Sequence, residues 1–342
     1  MRPMTAPAEA LMDVRGLTKY FPTGSSFRLG GERQFIHAVD DVSFTLCRGK
    51  ILALVGESGS GKSTIARVLA RLHPATAGEA IFHERNALTL RGHDLLSYRG
   101  QVQMVFQDPF GSLNPVKSIG HHLERPIRIR RQTGGRDETR NKIYELLRTV
   151  GLTPPEEVAN KLPHELSGGQ RQRVALARAL AVNPEIILAD EPISMLDVSI
   201  RMGILNLLGQ LRDEHGVSYL YITHDLASAR YLADDTLVLY AGQIMEAAPS
   251  EDLMSEPLHP YTRLLLASVP DPRKSLEKRR VEVRGEIPTI VNPKPGCRFA
   301  GRCPKVTDVC RNQSPGLLEP RPGHHVRCHL YDPALATNPC AG

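Results

Sequence analysis

The stretch that decides the reading is GESGSGKST, residues 56–64. It fits GxxxxGK[ST], with Gly56, Gly61, Lys62 and Ser63 on the fixed positions and Ser58, Gly59 and Thr64 filling out the loop. The flanking segments agree with it. Ile51, Leu52, Ala53, Leu54 and Val55 are a short apolar run of the kind buried as a strand, and Ile65, Val68, Leu69 and Leu72 recur at i, i+3, i+4 and i+7, one face of a helix. Strand, glycine-rich turn and helix is the context this motif requires. Three glycines let the backbone curl with its N–H groups pointing inward, and a helix N-terminus adds partial positive charge, so the turn suits a polyphosphate. In that arrangement Lys62 bridges the terminal phosphates and Ser63 holds Mg2+.

A chain of 342 residues with 41% hydrophobic content supports one large core and an appendage. Its apolar runs reach five or six residues, far short of the ~20 that cross a bilayer. The first residues, MRPMTAPAEALMD, lack the apolar stretch of a secretion signal. The expectation is a soluble chain in a reducing compartment, whose role at any membrane comes through partner subunits. Net charge is +6, with 13 Lys/Arg against 7 Asp/Glu after residue 270 and 30 against 30 before it. A neutral main body lacks the basic stripe of a nucleic-acid footprint.

Toward the N-terminus, Val42, Phe44 and Leu46 alternate with Ser43 and Thr45, the period of a half-buried strand. With the glycine-rich connection at residues 23–33, the segment 11–46 reads as a small antiparallel sheet. Tyr20 follows its first strand and has a ring suited to stacking on a base or to a place in the core. Residues 79–83 and 101–106 read as strands, the second leading to Gln107, which reaches a phosphate-bound metal or simply sits in a solvated loop. Residues 108–163 change character, with a helix-like stretch at 142–150 and proline or glycine punctuation, and read as a helical insertion. The run RPIRIRR, 125–131, reads as a solvated basic face.

LSGGQ at residues 166–170 precedes a helix carrying Val174, Ala177, Leu180 and Ala181. Ser167, Gly168 and Gly169 make it a second anion-binding helix start in the same chain. The buried strand Ile186, Ile187, Leu188 and Ala189 then delivers Asp190 and Glu191. If they are more than a polar strand end, the first supports Mg2+ through Ser63 or a water, and the second orients and deprotonates an attacking water. A turn at 194–197 ending in Asp197, a helix over 198–215, a strand over 218–223 ending at His224 and a closing hairpin over 237–245 complete the body.

In this order, residues 56–64, Gln107, LSGGQ, ILADE at 187–191, the SxLD turn and His224 resemble the nucleotide-binding subunits of ATP-binding cassette (ABC) transporters over residues 10–250. The resemblance implies an α/β fold of P-loop NTPase type with an antiparallel β subdomain, a helical subdomain at about 108–165 and a small C-terminal cysteine-cluster region at 251–342. It implies ATP with Mg2+ as cofactors, with Lys62, Glu191 and His224 catalytic. Tyr20, Gly56, Ser58, Gly59, Gly61, Ser63, Thr64, Gln107 and Asp190 then serve the nucleotide, and Ser63, Gln107 and Asp190 the metal. Ser167, Gly168, Gly169, Gln170 and Asp197 belong to the opposite face. The implied assembly is a head-to-tail dimer with a paralogous ATPase, carried by two transmembrane permease subunits on the cytoplasmic face of the inner membrane. An extracytoplasmic solute-binding protein acts indirectly. The stretch at 249–272, MVFQDPFGSLNP and the cysteine tail look most like the second ATPase of dipeptide and oligopeptide importers. A nickel importer, and a soluble cassette acting on nucleic acid or ribosomes, are the alternatives. Met195 departs from the small residue usual at its position.

Cys297, Cys303, Cys310 and Cys328 cluster in a proline-rich tail at intervals of x5, x6 and x17. In a reducing compartment four gathered thiols suggest a metal centre that substitutes for a core, with Arg298, Arg302, Lys305, Arg311 and Arg327 offsetting its charge. The spacing fits neither zinc ribbons nor ferredoxins. The resemblance implies a 4Fe-4S cluster, with Zn2+ as the alternative. Cys47 and Cys340 read as unpaired thiols, and His324, His325 and His329 as substitute ligands.

Overall fold

The computed structural model describes residues 9–23, 34–130, 134–267 and 290–336, with only the backbone of Phe110 and Ala336. Most of the glycine-rich connection, Arg131, the end of the 249–272 stretch and Cys340 lie outside the described residues. Among the described residues twelve strands form two sheets: β1 (Ala10–Thr23), β2 (Gln34–Cys47), β3 (Ile51–Val55), β4 (Ala77–Phe82), β5 (Arg85–Asn86), β6 (Val102–Val105), β7 (Ile186–Asp190), β8 (Ser218–Thr223), β9 (Asp235–Tyr240), β10 (Gln243–Pro249), β11 (Leu318–Arg321) and β12 (His324–Val326). The smaller sheet is antiparallel in the order β2-β1-β4-β5, and the larger runs β11-β12-β10-β9-β3-β8-β7-β6.

In the larger sheet β6, at one edge, and β7, β8, β3 and β9 beside it are parallel. Every residue of β3, β7 and β8 is buried, which is why β3 and residues 186–189 of β7 read as apolar runs. One core lies between this sheet and the helical layer and another between the two sheets, where Ile65, Val68 and Leu69 meet Leu17 and Leu54. Parallel register decides where the chemistry falls. Val55 is opposite Thr223, Asp190 opposite Ile222 and Val105 opposite Ala189, so the residues after all four strands emerge at one carboxyl edge, the usual binding edge of such sheets.

The helical insertion comprises Pro109–Ser112, Ile119–Ile129, Arg136–Thr149 and Pro155–Asn160. The helix expected over 142–150 starts at Arg136, with Asp137 and Glu138 in its first turn, where carboxylates favour a helix N-terminus. The basic run is not merely a solvated face. Ile127 is fully buried, and the Arg130 guanidinium donates to Leu96 O (2.6 Å) and Ser97 O (3.2 Å).

The tail extends the main sheet, since β12 pairs with β10 (Glu246 opposite Val326) and β11 with β12. Residues 290–292 also line up with β2, through His37 N–H to Ile290 O (2.9 Å) and Asn292 N–H to Phe35 O (3.1 Å). A third core joins Tyr240, Tyr261 and Phe299, with ring centroids 4.7, 5.2 and 5.3 Å apart. Buried Glu246 accepts hydrogen bonds from Leu258 N–H (2.7 Å) and His259 N–H (2.9 Å) and pairs with His324 Nε2 at 2.7 Å.

This corrects the metal-centre reading. Among the described residues, which include all four clustered cysteines, no group of three or more His, Cys, Asp or Glu is arranged to hold a metal ion, so neither the 4Fe-4S cluster nor zinc stands. The tail packs on a core shared with β9 and β10. Cys297 and Cys303 pack against the aromatic cluster, Cys328 lies with Leu258 and Val326, and Cys310 Sγ is 3.2 Å from Thr307 Oγ1. Burial pushes the Cys297 thiol up to about 11, and those of Cys303 and Cys328 upward. The arginines are engaged elsewhere: Arg298 with Asp40 and Ala241 O, Arg302 with Glu57, and Arg327 with Ile244 O and Pro315 O. His324 is held by Glu246, and His329 Nε2 lies 3.0 Å from Gln313 O.

Candidate functional site

The helix after β3 spans Lys62–Leu69 and begins at Gly61, whose φ of 108° places it in the left-handed region. A Cβ there would stand 2.2 Å from Ala38 O, so only glycine lets the loop close against β2. Lys62 is 4% exposed and donates to Gly56 O (2.7 Å) and Glu57 O (2.8 Å), which folds its chain back over the loop. Burial lowers its pKa, and Glu191 opposes that shift. Ser63 Oγ donates to Asp190 Oδ1 at 2.7 Å, bridging the end of β3 to the end of β7. Asp190 is 2% exposed, and its pKa is raised by burial.

β7 ends at Asp190, so the next carboxylate fans away from the strand. Glu191 has a φ of 46°, a sparsely populated conformation for a residue with a side chain. Its N–H donates to Ile222 O (2.9 Å), and Oε2 accepts from Gln107 Nε2 (3.0 Å) and lies 3.2 Å from His224 Nδ1. The hydrogen bond with His224 lowers the Glu191 pKa against the cost of burial, and the same bond raises that of His224. Glu191 is therefore a carboxylate at neutral pH, held between an amide and an imidazole, and free to accept a proton.

Ser58, Gly59, Gly61, Lys62, Ser63, Thr64, Gln107, Glu191 and His224 line one cavity of 780 Å³. Sequence reasoning missed its other walls: Ile36, His37 and Ala38 from β2, Glu57, Ala241, and Leu265 and Ile290 from beyond residue 250. Tyr20 is not among the lining residues. Its ring stacks on His37 (centroids 3.7 Å apart) and its hydroxyl donates to Asp40 Oδ1 at 2.6 Å, so His37 is the aromatic ring at the wall. No residue of 166–170 is among the described lining residues.

The second glycine turn is built differently. Ser167 caps the helix Gly168–Leu180, its Oγ accepting from Gln170 N–H (3.3 Å) while Gln170 Oε1 accepts from Ser167 N–H (2.9 Å). Both bonds satisfy helix-start groups reciprocally. A Cβ on Gly169 would come within 2.6 Å of Ile200 Cγ2, so the absence of a side chain lets this helix start rest on the helix Val198–His215. Asp197, at the start of that helix, is exposed, as are Met195 (58%) and Val198. This face presents the exposed Ser167 and Asp197, while Gly168 is half-buried and Gly169 buried.

Residues 39–194 match the ABC transporter family, and residues 245–310 match the family described as "Oligopeptide/dipeptide transporter, C-terminal region". The chain is 44% identical to the oligopeptide transport ATP-binding protein AppF of Bacillus subtilis (strain 168), covering 95% of this chain and 99% of that one. It is 41% identical to the dipeptide transport ATP-binding protein DppF of Haemophilus influenzae (strain ATCC 51907 / DSM 11121 / KW20 / Rd), over 94% and 97%. Among solved structures, the ATP-binding cassette MJ0796, described as a dimeric post-hydrolysis state bound to ADP and Pi, superposes with a TM-score of 0.60 at 31% identity, covering 70% of this chain and 98% of that one. Among the described residues no helix is long and apolar enough to cross a membrane. With the lysine turn, the Asp190–Glu191 strand end and the serine–glycine turn in one cassette fold, and with relatives matched from end to end, the chain belongs to the ATP-binding cassette family of transporter subunits that carry this C-terminal region.

Proposed function

We propose that the chain is the ATP-hydrolysing subunit of an importer for di- or oligopeptides, seated peripherally on the cytoplasmic face of the inner membrane. The observation that carries this is the convergence of Lys62, Ser63, Asp190, Gln107, Glu191 and His224 at one edge of the sheet, in a chain 44% identical to AppF over nearly its whole length. Residues 1–250 form the nucleotide-binding domain, with the helical subdomain at about 108–165, and 251–342 the C-terminal region.

The N–H groups of Gly59, Gly61 and Lys62 and the ammonium of Lys62 bind the phosphates. Ser63 and Asp190, already 2.7 Å apart, offer the hard oxygen donors that suit Mg2+, with Gln107 beside them. When bound, the ion neutralises phosphate charge. Glu191, steadied by Gln107 and His224, orients the attacking water and takes its proton. Ser167 and Asp197 are exposed, and with Gly168, Gly169 and Gln170 they serve the nucleotide of a second, paralogous cassette bound head to tail. Two permeases carry the pair, and a solute-binding protein delivers the cargo outside.

The test is purification of the native complex in vesicles with its solute-binding protein. The expected result is ATP hydrolysis stimulated by di- or oligopeptides, with peptide accumulation. Stimulation by Ni2+ alone, or a chain that purifies with nucleic acid and without permeases, would overturn it.

A further inference from the structure

Glu57, inside the phosphate loop, is gripped by groups from beyond residue 250. Its N–H donates to Tyr261 Oη at 3.0 Å, and its carboxylate accepts two hydrogen bonds from Arg302, Nη1 to Oε2 at 2.8 Å and Nη2 to Oε1 at 3.0 Å. Its carbonyl meanwhile accepts from Lys62 Nζ. Tyr261 is fully buried, the Arg302 side chain is 7% exposed, and the guanidinium stands over the Tyr240 ring at 5.7 Å. Two parallel bonds between a planar guanidinium and a carboxylate are the geometry in which such pairs are strongest, and packing on the aromatic cluster fixes the arginine beforehand.

Glu57 also lines the phosphate cavity. A carboxylate there would repel a polyphosphate, and the repulsion is strong where water is partly excluded. On the reading of this cavity as the ATP site, we propose that Arg302 is a positioning residue for nucleotide binding. It cancels the Glu57 charge and holds that carboxylate away from the phosphates, so the C-terminal region completes a site whose reactive groups lie in the cassette. The arginine, placed between two of the clustered cysteines, thereby finds a role at the phosphate loop.

The test uses the full chain with Mg2+ and the fluorescent analogue N-methylanthraniloyl-ATP. Arg302→Ala is expected to weaken binding about tenfold, the scale of one lost hydrogen-bonded charge. Arg302→Lys recovers only part of that, because an ammonium cannot make both bonds. Removing the charge as well, in Glu57→Gln/Arg302→Ala, restores most of the affinity, and the deficit of Arg302→Ala shrinks at 1 M salt, where the screening length is about 3 Å. Should the alanine variant fail to fold, Arg302→Gln, alone and with Glu57→Gln, reads the same charge effect with the bulk kept. Wild-type affinity in Arg302→Ala or Arg302→Gln overturns the proposal, as does a double variant as weak as the single. Lys62→Ala separates the premises: if it binds as tightly as wild type, the ATP-site reading itself falls. If it loses binding while the Arg302 variants do not, only the role of Arg302 falls.

Discussion

The two glycine-led helix starts, at Gly61 and at Ser167, carry the same local chemistry and end in different surroundings. Both point backbone N–H groups out of a helix N-terminus, which is enough to favour an anion. Around the first, the sheet gathers a buried lysine, a serine bonded to an aspartate, and a carboxylate flanked by an amide and an imidazole. Around the second there are a capping box, a close-packed glycine and an exposed aspartate. On the function proposed above, the first is the reaction centre and the second a binding edge for the nucleotide of a neighbouring cassette.

The largest effect should come from breaking the first centre. Glu191→Gln keeps the shape and removes the proton acceptor, and hydrolysis by the assembled complex should fall roughly 10²–10⁴-fold while ATP stays bound. An unchanged rate in a steady-state assay would strip Glu191 of its role and level the contrast between the two turns.

The first turn also leans on the tail, through Tyr261 and Arg302. Phe299 is 1% exposed in the aromatic cluster that holds Tyr261 and Arg302. Phe299→Ala should cost about 3–5 kcal/mol of stability in urea unfolding and weaken ATP binding at Lys62. EDTA should leave the melting temperature unchanged, because packing holds the tail; a chelator-induced drop would reinstate a metal.

A smaller effect tests the binding edge. Gly169→Ala presses a methyl group on Ile200 and should destabilise by about 1–3 kcal/mol, with Ile200→Ala relieving it. No change in unfolding would mean the two helices part easily and the turn is not held in place by this contact.

The smallest is a titration. His224 has its pKa raised by Glu191, so its share of the pairing is complete below the unfolded value of about 6.5 and disappears as pH rises through the higher folded value. Glu191 has its pKa lowered, so its share is present above the ordinary carboxylate value and is lost as pH falls through the depressed one. The ion pair therefore occupies the window between them. His224 is 57% exposed, so the marker is NMR: its ring pKa should fall in Glu191→Gln, and an unmoved value would show that the two side chains do not interact in solution.

Much of the cassette is legible in the amino-acid order. β3 reads as an unbroken apolar run because both its faces are covered, and the helix Val198–His215 is bounded as expected, ending at Gly216 in a left-handed conformation. The reactive residues were legible because each follows a strand whose end is fixed by its own pattern. Contacts set by distant pairing were not. Tyr20 meets His37 through the β1–β2 register, and Arg302 meets Glu57 across 245 positions of chain. The tail misled because LEPR and HHV, its two strands, lack apolar alternation, and its core is borrowed: Tyr240 comes from β9 and Tyr261 from the helix Pro260–Ala267, with only Phe299 supplied by the cysteine segment itself. A segment that packs on another's aromatics shows little hydrophobic pattern of its own.

The direct test of the two-turn account is a structure of the Glu191→Gln complex with Mg2+ and ATP, read for which serine–glycine turn touches the nucleotide held by Lys62. The account predicts the turn of the neighbouring cassette, with Ser167 of this chain on the neighbour's nucleotide. Finding Ser167 of the same chain folded over its own lysine loop would contradict it.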